Sequence, residues 1–181
     1  MPRLDSITTK AALAPEHAHV ADAVTKVFGH IRGPFGMLLH SPALAERMLP
    51  LVTFVREDTI VGPPNLKFAA ILTAARERES AYVWAAQVEQ ARKNGVGKEL
   101  IDLIRAKGDP ASLPAAEREI VSYMRQLMRN NRADQATFDA LMAKYSAQWL
   151  VELTAVANFY SFVSGIANAF EVQPPEGGDR F

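Results

Sequence analysis

The chain has 181 residues, 49% of them hydrophobic and 22% charged, and 20 Lys and Arg balance 20 Asp and Glu. That length suits one domain with a packed core, and the composition is far from that of a disordered chain. Zero net charge gives nucleic acid or an anionic membrane no electrostatic handle, and the absence of cysteine removes disulfides, thiolate metal sites and thiol nucleophiles.

The first residues, MPRLDSITTKAAL, lack the apolar run of a signal peptide. No stretch approaches about 18 uncharged apolar residues, the length a membrane span needs. The longest apolar run, from Leu153 to Phe170, is interrupted by Asn158, Ser161, Ser164 and Asn168. The expectation is a cytoplasmic protein.

Residues 15–29 read as the first helix, opened by Pro15 and Glu16 and stopped near Gly29. The segment Arg32-Gly33-Pro34-Phe35-Gly36 reads as a structured turn, since two glycines and a proline oppose helix throughout. Ser41-Pro42 opens the next helix, whose apolar Leu44, Met48, Leu51, Val52 and Val55 follow the spacing of one helix face. Pro50 is expected to bend it. The segment from Ile60 to Pro64 reads as a loop, followed by a helix over 65–78.

Ser80 is placed to cap a helix over 81–94 that stops at Asn94-Gly95. A short helix follows over 97–106, then another from Ser112-Leu113-Pro114 to about Asn130. Asp134 caps a helix over 135–145, and a long apolar helix covers 147–170. Apolar on more than one side, this last helix is expected to be central or at a subunit interface. Residues 1–14 and 173–181 read as loose tails, the second because of Pro174-Pro175 and Gly177-Gly178. With helical spacing nearly everywhere and no period-two segment, the fold class is all-α, one domain over 1–181.

Several kinds of chemistry have no motif here. The sequence has no glycine-rich phosphate loop, no His-Glu-x-x-His and no Gly-x-Ser-x-Gly. His17 and His19, two residues apart, point away from each other on a helix, so no metal site is expected. Three segments remain. Tyr82, Trp84 and Gln87 set polar groups among apolar ones, the plainer reading being core aromatics with satisfied polar tips. Asn158, Tyr160, Ser161, Ser164 and Asn168 fit an interhelical hydrogen-bond network, a subunit interface or a pocket wall. Arg32 to Ser41 carries a cation and His40 towards a helix N-terminus, which favours anions, though a plain turn reads equally simply.

Taken together, the segments GPFGMLLHSPALAERM (33–48), AYVWAAQVEQARKNGV (81–96) and VELTAVANFYSFVSGIANAFEV (151–172) resemble the carboxymuconolactone decarboxylase family, which includes the alkylhydroperoxidase D proteins. The resemblance covers nearly the whole chain in the same order. It implies a multi-helix alkylhydroperoxidase D-like bundle, chemistry without a cofactor in many members, and a homo-oligomer.

The departures bear on function. The family's peroxidase cysteines fall on Ser80 and Val83, and its acid/base His on Gln87. Its Arg-Glu pair on the preceding helix falls on Lys67 and Phe68. Thiol peroxidase activity is therefore disfavoured. Gln87 orients by hydrogen bonding and does not exchange protons near neutral pH. A general acid or base must come from elsewhere, first His40 and second Tyr82. Arg32 and Lys67 are candidates to hold a carboxylate, with Phe68, Trp84, Asn158 and Tyr160 lining a substrate site. The expected function is a decarboxylase-like lyase, independent of cofactors, acting on a small carboxylated, lactone or aromatic-derived compound. The alternative is a catalytically degenerate binder or structural homo-oligomer.

Overall fold

The computed structural model describes residues 2–56 and 62–181. Ile60 and Val61 of the expected loop lie outside the described residues. Those described form nine α-helices and no strand. They divide into two compact units, 2–56 with 165–173 and 62–164 with 174–181.

In the first unit, α1 (Ala18–Phe28) and α2 (Pro34–Leu38) both pack against α3 (Pro42–Arg56). Gly29 ends α1 at φ 78, a left-handed conformation that glycine adopts without steric cost. The expected turn at 32–36 is in part a helix. Gly33, at φ 61, turns the chain, and Pro34 then starts α2 with its φ already helical. Gly36 sits inside α2 because Ser6 and the Ile7 carbonyl press on it, and its carbonyl accepts the Ile7 N–H at 3.1 Å. The helix α3 continues through Pro50. The N-terminal residues are tied down, since Arg3 donates from its backbone to Phe170 and pairs with Glu171 at 2.7 Å.

In the second unit, α4 (Pro64–Glu77) packs against α5 (Ala81–Lys93), α6 (Lys98–Arg105) and α7 (Ala115–Asn130), and α8 (Gln135–Met142) packs on α7. The run Leu66 to Ala75 of α4 is buried except at Phe68. Four of its residues are alanines, which let neighbouring backbones approach on every side. The enclosed helix of this unit is thus α4, although apolarity pointed to the last one.

That last helix, α9 (Ala147–Ala169), leaves Val151 67% exposed and Phe162 exposed as well. Contrary to expectation, it is long and apolar enough to cross a membrane, by length and composition alone. Half of its most apolar stretch is buried within the protein, as in the core helix of a globular domain.

Helix starts follow the sequence unevenly. Asp134 caps α8 through a 2.7 Å bond from the Thr137 N–H. Ser80 holds the N-cap position of α5, but its side chain makes no capping bond.

Candidate functional site

Of the residues singled out from sequence, Arg32 and His40 belong to the first unit and Tyr82, Gln87, Phe68, Trp84, Asn158 and Tyr160 to the second. His40 is exposed, and its Nε2 lies 2.8 Å from the Asp5 carbonyl oxygen. A carbonyl only accepts, so Nε2 carries the proton and Nδ1 is the acceptor in the neutral ring. Arg32 is exposed too. Burial, followed by the charges of Arg32 and Arg56, holds His30 below its ordinary value.

In the second unit, α4 presents Lys67, 6% exposed, beside half-buried Phe68. Ser80 at the head of α5 is fully buried, and its hydroxyl has no hydrogen-bond partner. Val83 and Gln87 follow at helical spacing, with Gln87 half-buried. Tyr82 is half-buried but five residues from Gln87, roughly 140° around the helix, so the two do not share a face. Asn158 is exposed and donates to the Thr154 carbonyl one turn back at 2.9 Å. Tyr160 is buried, its ring edge-on to Phe159 at 5.6 Å. Ser161 accepts from Arg78 Nε at 2.7 Å.

Trp84 is where the structure adds most. Its side chain is fully buried, and part of its cover comes from the segment expected to be a loose tail. The Trp84 indole Nε1 donates to Asp179 Oδ1 at 3.1 Å. Arg92 donates to Asp179 Oδ2 at 2.7 Å, and Arg105 Nη2 reaches both oxygens, at 2.9 and 3.1 Å. Arg105 Nε donates to the Arg180 carbonyl at 3.1 Å. The Phe181 ring stands edge-on to Trp84 at 5.7 Å, and the Arg76 guanidinium lies 4.3 Å from its centre. Residues 174–181 are therefore a docked part of the second unit, because one carboxylate and one ring each find partners there.

Burial alone would raise the Asp179 carboxyl. The hydrogen bonds from Trp84, Arg92 and Arg105, with the charge of Arg105, outweigh it and hold the carboxyl below its ordinary range. Beside this contact lies a cavity of about 360 Å³ lined by Arg92, Lys98, Ile101, Asp102 and Arg105. Each of its three cations already has a carboxylate partner, Lys98 in Asp102, Arg105 in Asp102 and Asp179, and Arg92 in Asp179 and Glu89. Arg105, Asp179 and Phe181 were missed from sequence. The available signal was an acidic, a basic and an aromatic residue closing a Pro- and Gly-rich segment, where a purely flexible tail would carry no aromatic.

Chemically, the arrangement grips a planar carboxylate with two guanidiniums and an indole, against aromatic surface. Among the described residues, no group of three or more His, Cys, Asp and Glu is placed to hold a metal ion.

An all-helical protein with a carboxylate-gripping face on its second unit is the class these features define. Compared by sequence, the chain matches no family model and no curated protein. Its fold is the alkylhydroperoxidase D-like fold. It is similar to the alkylhydroperoxidase AhpD core of an uncharacterized peroxidase-related protein from Ralstonia eutropha, at TM-score 0.75 and 16% identity, covering 97% of this chain and 93% of that one. It is similar also to the debrominase Bmp8 in complex with 2,3,4-tribromopyrrole, at TM-score 0.73 and 17% identity, covering 97% and 94%. A third similar structure is a peroxidase-related protein from Silicibacter, at TM-score 0.71 and 13% identity, covering 97% and 93%.

Proposed function

We propose that this protein is a cytoplasmic, decarboxylase-like enzyme that works without a cofactor on a small carboxylated compound, a lactone or an aromatic-derived acid. The observation that carries the reading is the grip of Arg92, Arg105 and Trp84 on a carboxylate, next to the cavity that Arg92 and Arg105 also line. The debrominase of the same fold is bound to a small brominated aromatic ring, which supports a small aromatic-derived substrate. Without cysteine, the chain cannot run a thiol-based peroxidase cycle.

In decarboxylation the bond between the ring carbon and the carboxylate breaks and carbon dioxide leaves. The electron pair passes into the conjugated carbonyl, and a proton returns to carbon. Binding and orientation supply much of such a rate, and hydrogen-bond donors aimed at the developing enolate supply more. Gln87 is assigned the orienting role and Tyr82, of the same unit, the proton. Zero net charge leaves copies free to associate, and the protein is read as a homo-oligomer.

A second reading is a binder that has given up catalysis. Phe68 and Gln87 favour it, because neither exchanges a proton where the resembling family places Glu and His. The deciding experiment is incubation of the purified protein with carboxymuconolactone and related carboxylated lactones, with carbon dioxide measured. Enzyme-dependent release is expected. Saturable binding across the panel with no release would replace the enzyme by the binder.

A further inference from the structure

We propose that the cradle formed by Arg76, Trp84, Arg92 and Arg105 is a binding site for a small aromatic carboxylate, which the chain's own Asp179 and Phe181 occupy and thereby regulate. This deepens the function proposed above, whose substrate class it shares.

The tail presents two chemical groups to the cradle, and each is met as a ligand would be. The carboxylate takes four hydrogen bonds from three side chains, between 2.7 and 3.1 Å. The ring sits between the Trp84 edge contact and the Arg76 guanidinium, a pairing worth about 1 kcal/mol in partly desolvated surroundings. The tail contributes one backbone bond to the cradle, from Arg105 to the Arg180 carbonyl. It belongs to no helix, and it turns at Gly177, whose φ is 69.

The same two arginines that hold Asp179 also line the 360 Å³ cavity, so an incoming anion meets Arg92 and Arg105 before the tail has left. Gly178 explains how closely the tail fits. A Cβ there would lie 3.0 Å from the Ala85 Cβ and 2.9 Å from the Pro175 carbonyl oxygen. A bulkier residue at 178 therefore lifts the tail without altering any charge in the cradle. A tethered competitor acts at an effective concentration of order millimolar, so a free acid binds weakly until the tail is loosened.

Calorimetric titration with 3-phenylpropionate tests this, with the uncharged 3-phenylpropan-1-ol as control. Asp179→Asn should bind the acid at least tenfold more tightly than the unaltered protein, and Gly178→Val should shift affinity the same way. Adding Arg105→Gln to Asp179→Asn should undo the gain by at least tenfold. Equal affinities with and without the tail changes, equal binding of the alcohol, or no binding to any protein would overturn the proposal. If Asp179→Asn fails to fold, Gly178→Val alone decides. The titration reads binding without turnover. Tail-dependent binding without carbon dioxide release sinks the enzyme reading and leaves this one, and release with tail-independent binding does the reverse.

Discussion

The indole of Trp84 donates a hydrogen bond to the carboxylate of Asp179, 95 residues further along the chain, at 3.1 Å. This bond joins a fully buried core side chain to the segment 174–181 and ties part of that segment's docking to one ionised group.

That dependence has a definite sign with pH. The Asp179 carboxyl titrates below its ordinary range in the folded protein, so the unfolded or undocked chain takes up its proton first as pH falls. The contribution is complete above the ordinary Asp value of about 4 and is lost as pH drops through the lower folded value. Acidification from pH 7 through that folded value should therefore release the tail, seen as a change in Trp84 emission in a Trp149→Phe background. Asp179→Asn protein should show the released emission already at pH 7. An identical acid transition in both proteins would break the link to Asp179.

Glu77 supports the core of the same unit. Its side chain is 5% exposed and takes two bonds from Arg129, each 2.7 Å, while Arg125 Nε lies 3.4 Å away. Burial lowers Arg125's affinity for its proton, and the charge of Glu77, followed by that of Asp109, opposes this. Glu77→Gln would leave a nearly buried guanidinium without its counter-charge, at a cost of about 3 kcal/mol. The urea midpoint should fall accordingly, and a fall equivalent to less than about 0.5 kcal/mol would show that the Gly108 carbonyl, 2.6 Å from Arg125 Nη1, suffices.

Gly62 gives a steric prediction. A Cβ at this position would lie 1.9 Å from Trp149 Nε1 and 2.3 Å from Cδ1. The ring is rigid, nearly enclosed and stacked on Tyr145 at 3.9 Å, so it has no easy retreat. Gly62→Ala should destabilise the protein by about 2 kcal/mol and change the near-ultraviolet circular dichroism of Trp149. Unchanged spectra and midpoint would mean that the 62 backbone yields instead of the ring.

The helices were legible because their signals are local. Asp134, Gly29 and the Pro42 and Pro64 starts act within one turn of themselves, and the sequence marks them plainly. The enclosure of α4 was not legible, because an alanine-rich helix reads as weakly apolar while its small side chains are what let neighbours close in. Of the residues around the Asp179 carboxylate, the sequence singled out Trp84 on α5. Arg105 and Asp179 were not visible, because their pairing spans 74 residues and carries no periodic signature. Ser80 shows a further limit, since it occupies the cap position while its hydroxyl stays buried and unpartnered.

The assignment of proton transfer is decided by a pair of substitutions. Positioned general bases contribute about a hundredfold or more to rate. If Tyr82 moves the proton, Tyr82→Phe, which removes the hydroxyl alone, should lower kcat on an accepted lactone by about that factor while changing KM little, and an unaltered rate would take the role from Tyr82. Gln87→Ala should behave differently. Loss of an orienting hydrogen bond weakens binding of substrate and transition state together, so kcat/KM should fall by about tenfold with a clear rise in KM.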